Sequence, residues 1–297
     1  MTQLQPEEQS TQNLPSGQRR LFIVLVDLSG YTELMVASQT AALHGQMVVS
    51  MLLEAILGEV DSPLHLQEIE GDAVFLYAEH PGSESAWRDV CEHIGHKLPR
   101  FFEAFAEAVV SMDQATMCSC AVCQNKGLRI KVVVHSGEAV FHSIQGRPQV
   151  SGVDVIKAHR LLKNSVPSNE YILLTKTADD DLSSSLDLKF TKGEEKYDGL
   201  GAISTFVHFP KGYETVRQKF YAQPRWKVAW AAVRFVLQGG GKSVKILFQK
   251  QRNPAIQVST PRRVAYLALT ALTMPFIMLA YPVVASIRLL IKQASRK

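Results

Sequence analysis

Two acidic side chains stand where chemistry is conceivable. Asp27 ends an apolar run, in Val26-Asp27-Leu28-Ser29-Gly30-Tyr31-Thr32, and Asp72 lies in Glu70-Gly71-Asp72-Ala73 between two short apolar stretches. Taken singly, each is an ordinary turn or capping acid. Placed at a strand end and in an adjoining hairpin turn, however, the two carboxylates can converge, and carboxylate oxygens are the donors that Mg2+ prefers. A second set is sulfur. Cys118, Cys120 and Cys123 are closely spaced, and with Cys91 or a histidine such as His93 or His96 they would make a tetrahedral zinc site. The competing reading is a loop of reduced thiols, since no second CxxC is present. Arg160, read alone, is a surface ion-pair partner, and His135 beside Ser136-Gly137 is structural. Gly239-Gly240-Gly241-Lys242-Ser243 suggests a phosphate loop but lacks the leading glycine, Val236 standing in its place, and is a linker.

The elements that would carry these residues follow from hydrophobic periodicity. Leu21 to Leu28 is a strand covered on both faces, and Tyr31 to Leu57 one long helix stopped by Gly58. Leu64 to Ile69 and Ala73 to Tyr77 form a hairpin about Gly71-Asp72, and Ser83 to Met112 is a second long helix. Leu128 to Val134 and Ala139 to Ser143 read as a strand pair turning at His135-Ser136-Gly137, Gln149 to Leu162 as a helix, and Tyr171 to Leu174 as a strand. The order is that of an α+β fold with a ferredoxin-like βαββαβ core.

Charge divides the chain. Residues 1–210 hold 16 Lys/Arg against 27 Asp/Glu, whereas residues 211–297 hold 16 against 1. The tail therefore suits an anionic surface, expected to be membrane lipid and not nucleic acid. The 24 residues 264–287 contain no charged side chain, although Pro275 and Pro282 interrupt them. At ~1.5 Å per residue such a helix reaches ~36 Å, enough to cross a bilayer core of ~30 Å, and a re-entrant hairpin bent at the prolines is the alternative. The expected organisation is a loose arm (1–18), a folded domain (19–210), a basic amphipathic juxtamembrane region (211–262) and a C-terminal helical membrane-associated segment with a basic tail (263–297). Four cysteines and a polar, signal-free start imply a reducing compartment, placing the domain on the cytoplasmic face of a membrane.

Three separated stretches resemble the class III adenylyl/guanylyl cyclase catalytic domain, over roughly Leu21 to His208, and most closely a bacterial cyclase-related group of undefined activity. They are Phe22 to Thr32, Leu66-Gln67-Glu68-Ile69-Glu70-Gly71-Asp72-Ala73, and Gly152-Val153-Asp154-Val155-Ile156-Lys157-Ala158-His159-Arg160-Leu161. The resemblance implies two divalent ions, Mg2+ or Mn2+, on Asp27, Asp72 and the Leu28 backbone carbonyl. It also implies a nucleoside triphosphate bound near Gly30, Tyr31, Thr32, Glu68 and Gln149, and a homodimer in which Arg160 serves the neighbouring site. A guanidinium fixed against developing phosphoryl charge contributes ~3 kcal/mol. Two departures accompany it: Ile156 stands where the family has asparagine, and Leu200 where it has a triphosphate-binding lysine. Glu68 opposite Gln149 matches neither purine's usual pair, so the base is left open among the four nucleotides.

Overall fold

The structure, a computed structural model, describes residues 17–37, 42–115 and 128–210, with a few positions between 215 and 227. The chain divides into two compact units. The first holds the described residues of Met1–Leu28, Val60–Leu98 and Ile130–Phe209, and the second those of Ser29–Glu59, Pro99–Arg129 and Pro210–Lys297.

The first unit is built on a sheet of β1 (Gly17–Ser29), β2 (His65–Glu70), β3 (Ala73–Glu79), β4 (Arg129–Ile144), β5 (Arg147–Ser151), β6 (Tyr171–Thr175), β7 (Thr191–Tyr197) and β8 (Gly201–His208). The strand order is β2-β3-β1-β4-β6-β8-β7, with β5 paired to β4 off that path. Its first four strands have the β2-β3-β1-β4 order of the expected ferredoxin-like core. β1 runs antiparallel to β3, with Asp27 opposite Ala73, and β4 runs parallel to β6.

Six consecutive residues of β1, Leu21 to Val26, are fully buried, as a strand covered on both faces requires. Because side chains alternate, Leu21, Ile23 and Leu25 join Phe75, Val133 and Phe141 in one cluster with Val155, Ala158 and Leu161 of α4 (Val153–Leu161). Phe22 points the other way and stacks on Trp87, ring centroids 4.6 Å apart, a contact of about 0.5–1.5 kcal/mol beyond its burial. A short α5 (Lys176–Leu182), N-capped by Thr175, follows β6.

The second unit contains α1 (Tyr31–Ala37), α2 (Ala42–Leu57) and residues 99–115 of α3 (Glu84–Ala115), whose residues 84–98 belong to the first unit. Val48, Leu52 and Ile56 of α2 and Phe101, Phe105 and Val109 of α3 are buried at helical spacing. The Arg100 guanidinium grips Glu59 through two contacts of 3.3 and 3.1 Å.

Two expectations change. The strand pair about His135-Ser136-Gly137 is one 16-residue strand, β4. The helix expected from Gln149 is strand as far as Ser151, because Gln149 and Val150 pair with His142 and Phe141; Gly152, at φ 145, breaks the strand and caps α4. The long helix from Tyr31 is described as α1 and α2, and residues 38–41 between them lie outside the described residues. The uncharged run 264–287, nearly all of the basic stretch before it and the arm 1–16 also lie outside them. Among the described residues no helix is long and apolar enough to cross a membrane.

Candidate functional site

Pairing of β1 with β3 carries Asp27 to the hairpin turn that holds Asp72. The Leu28 N–H donates to the Asp72 carbonyl at 3.3 Å, stitching the strand end to the turn. Burial, and then the negative charge of Asp27, push the Asp72 carboxyl above the usual carboxylate range, while Lys131 pulls it back. Lys131 Nζ lies 2.9 Å from Asp27 Oδ2 and donates to the Leu162 carbonyl at 3.0 Å.

A carboxylate whose proton affinity is raised by burial and by a neighbouring carboxylate gains from a cation, and the hard oxygen donors of Asp72 and Asp27 fit Mg2+ or Mn2+. Among the described residues no three His, Cys, Asp or Glu side chains converge. Mg2+ characteristically takes one or two carboxylates and completes its shell with water and phosphate oxygens, so the pair fits the ion. Lys131 is the residue that motif reading missed. Its signal was present: one cation inside the otherwise apolar run Ile130 to Val134 must find an anion.

Helix α4 is fixed at its start by a second polar group. Asp154 accepts from the Glu138 N–H at 2.8 Å and from Lys157 Nζ at 2.7 Å, and its Oδ1 lies 3.2 Å from His135 Nε2. Against the cost of burial, those donors hold the Asp154 carboxyl below the carboxylate range. His135 is buried, with Nδ1 2.8 Å from the Thr175 hydroxyl, and burial lowers its pKa; its expected structural role suits this setting. Gly137 permits the approach, since a Cβ there would come within 2.4 Å of Asp154 Oδ2.

From this base α4 presents an outer face. Ile156 is 52% exposed, and Arg160 is exposed with no side-chain partner among the described residues. Val155, Ile156, His159, Arg160 and Lys163 line a cavity of about 290 Å3. His159 is held over Phe75 and 3.8 Å from Glu70.

Glu68 is exposed at a bulge in β2, and Gln149 is half-buried in β5; the neighbouring Gln67 amide donates to the Pro148 carbonyl at 3.0 Å, so the two residues stand on adjoining segments. Leu200 is in the β7–β8 turn, its N–H bonded to the Tyr197 carbonyl. Gly30 takes φ 88 after β1, and Tyr31 and Thr32 begin α1, in the second unit. Cys91 lies in the core, 3% exposed, where burial pushes its thiol up to about 11. Cys118, Cys120 and Cys123 lie outside the described residues.

Residues 49–171 match the model of a protein of unknown function (DUF2652). The chain is 30% identical over 158 residues to the uncharacterized protein Rv2561/Rv2562 of Mycobacterium tuberculosis, covering 53% of this chain and 71% of that protein. Among solved structures, a bacterial light-regulated adenylyl cyclase superposes with a TM-score of 0.50 at 10% identity, covering 69% of this chain and 58% of that one. The guanylyl cyclase Cya2 gives 0.49 at 15% identity, over 67% and 98%. The chain belongs to the family of the uncharacterized mycobacterial protein. It has the mixed α+β fold of cyclase catalytic domains, with Asp27 at the end of β1, Asp72 in the β2–β3 turn and Arg160 on α4.

Proposed function

We propose that the domain binds a nucleoside triphosphate through divalent cations at Asp27 and Asp72 and, as a homodimer, converts it to a cyclic mononucleotide and pyrophosphate. The observation that carries this reading is the pairing of the β1 end with the β2–β3 turn, which sets Asp27 near enough for its charge to raise the Asp72 pKa. Bound cations would supply charge neutralisation on the triphosphate and activation of the ribose 3′-hydroxyl. The chain's own residues do the rest. Asp27 and Asp72 orient the reacting end, Lys131 balances Asp27, and Arg160 of a second copy faces the phosphoryl oxygens as negative charge develops. The 3′-oxygen bonds to the α-phosphorus, the bond to the bridging oxygen breaks, and the hydroxyl proton leaves to solvent.

Ile156 and Leu200 support a second reading, a module that binds nucleotide without turning it over, because neither side chain can hydrogen-bond a ribose or a phosphate. Incubating the purified full chain with Mg2+ or Mn2+ and each of the four nucleoside triphosphates separates the two. Cyclic product that is lost in Asp27→Asn supports the enzyme. Metal-dependent binding without product supports the module, and neither binding nor product removes both. The basic tail is proposed to tether this domain to the cytoplasmic face of a membrane, supported by the charge asymmetry and the uncharged run. Flotation of the full chain with anionic vesicles, lost on truncation after Pro210, is the expected outcome.

A further inference from the structure

The end of α4 carries more positive charge than the helix needs. Cations near a helix C-terminus ordinarily serve its free carbonyls. Here those carbonyls are taken: Asn164 Nδ2 donates to Leu161 O at 2.6 Å, Lys131 Nζ to Leu162 O at 3.0 Å and Tyr197 Oη to Lys163 O at 3.1 Å, while the Lys163 and Leu162 N–H groups serve Arg160 O and His159 O. Three acids nearby are engaged as well. Asp154 holds Lys157 and faces His135, Glu195 accepts both the N–H and the hydroxyl of Ser165, and Glu70 faces His159. Arg160 and Lys163, three residues apart and lining one cavity, therefore keep exposed side chains with no acid partner among the described residues. Two like charges one turn apart repel, and the arrangement is relieved by an anion between them.

The second link is the β7–β8 turn. Tyr197 donates its hydroxyl to the Lys163 carbonyl, and its own carbonyl accepts the Leu200 N–H at 3.1 Å. One residue thus fastens the Lys163 backbone and closes the turn that contains Leu200.

We infer that Arg160 and Lys163 form a clamp for the polyphosphate end of a nucleotide, with Lys163 supplying from the segment just after α4 the cation that Leu200 does not supply from the turn. This rests on the nucleotide reading above and adds a binding residue to it. The cavity's apolar side, Val155 and Ile156, gives the anion no competing acceptor, and Lys163 acts as a point charge where Arg160 can bind two oxygens.

Calorimetry on the full chain, with inorganic pyrophosphate, sulfate and each nucleoside triphosphate as titrants, tests the clamp. Lys163→Gln is expected to weaken pyrophosphate and triphosphate binding by about tenfold, with an unchanged melting temperature because Lys163 is exposed. Adding Leu200→Lys to that variant is expected to restore most of the loss, which a merely structural lysine would not allow. Pyrophosphate affinity within twofold of wild type in Lys163→Gln overturns the clamp, as does sulfate binding as tightly as pyrophosphate. If wild type binds pyrophosphate but no nucleoside triphosphate, and Lys163→Gln loses it, the clamp stands and the nucleotide reading falls. If wild type binds a triphosphate that Lys163→Gln binds equally well, the clamp alone falls.

Discussion

The carboxylate end of the sheet and the outer face of α4 hold the two halves of the candidate site in different ways. Asp27 and Asp72 are part of the backbone pairing. Their positions are set by the β1–β3 register and by the Leu28 to Asp72 hydrogen bond, and Lys131 answers their charge from the next strand. Ile156 and Arg160 instead project from a helix whose buried stripe is Val155, Ala158 and Leu161, and Lys163 stands two residues beyond its end. Changing the first set disturbs a part-buried charge balance; changing the exposed side chains of the second disturbs no core packing. The placement of the two carboxylates is therefore tied to the fold, whereas the exposed positions on α4 can change without disturbing it.

The sharpest way to break that contrast is at the carboxylates. Asp27→Asn or Asp72→Asn should abolish metal-dependent nucleotide binding and lower any turnover by about 10³-fold or more. Calorimetry with Mn2+ and product analysis are the checks, and binding that persists in both variants would mean α4 holds the ligand unaided. Asp72→Asn should also fold at least as stably as wild type without metal, because ionised Asp72 suffers burial and the repulsion of Asp27. Next in size is a gain. Ile156→Asn restores a hydrogen-bonding side chain to an exposed site and should raise turnover about 10–10²-fold with an unchanged melting temperature. If the cyclase reading holds and this variant is no faster, α4 does not address the reacting ribose.

The same contrast explains what is legible in the amino-acid order. β1, the β2–β3 hairpin and α3 announce themselves through long apolar runs and a Gly-Asp turn, and these alone place Asp27 and Asp72 on facing ends. His135-Ser136-Gly137 has the composition of a turn because Gly and Ser mark turns, yet β4 runs through it; the glycine is there for the approach of Asp154, a tertiary demand that local composition does not carry. β7, with the sequence Thr-Lys-Gly-Glu-Glu-Lys-Tyr, is an edge strand whose only buried residue is Glu195, so it has no apolar period to detect. Lys163 falls outside the motif that singles out Arg160, and only the cavity joins them.

Two smaller effects probe how α4 is held. Gly137→Ala would drive a methyl group into the Asp154 carboxylate, and the resulting shift should cost about 1–3 kcal/mol of stability, read by urea denaturation. Unchanged stability would show that α4 is free to move off β4, weakening the view that its base is rigid while only its outer face varies.

The smallest effect is a pH dependence at that base. Burial depresses the His135 pKa below its ordinary 6.5, so below that pH the unfolded chain binds a proton that the folded chain resists. Stability therefore falls as pH drops beneath about 6.5, and the contribution is complete only above it. The groups facing the ring oppose one another: Asp154, 3.2 Å from Nε2, favours the charged ring, whereas Lys157 disfavours it and the Thr175 hydroxyl meets Nδ1. The slope due to this group cannot exceed that of one proton, about 1.4 kcal/mol per pH unit. Denaturation series between pH 5 and 8, run on wild type and His135→Gln, isolate it from the other histidines. A difference that grows toward acid in favour of His135→Gln is expected. Parallel profiles would mean that the ring titrates normally in the fold, and that the Asp154 contact compensates its burial in full.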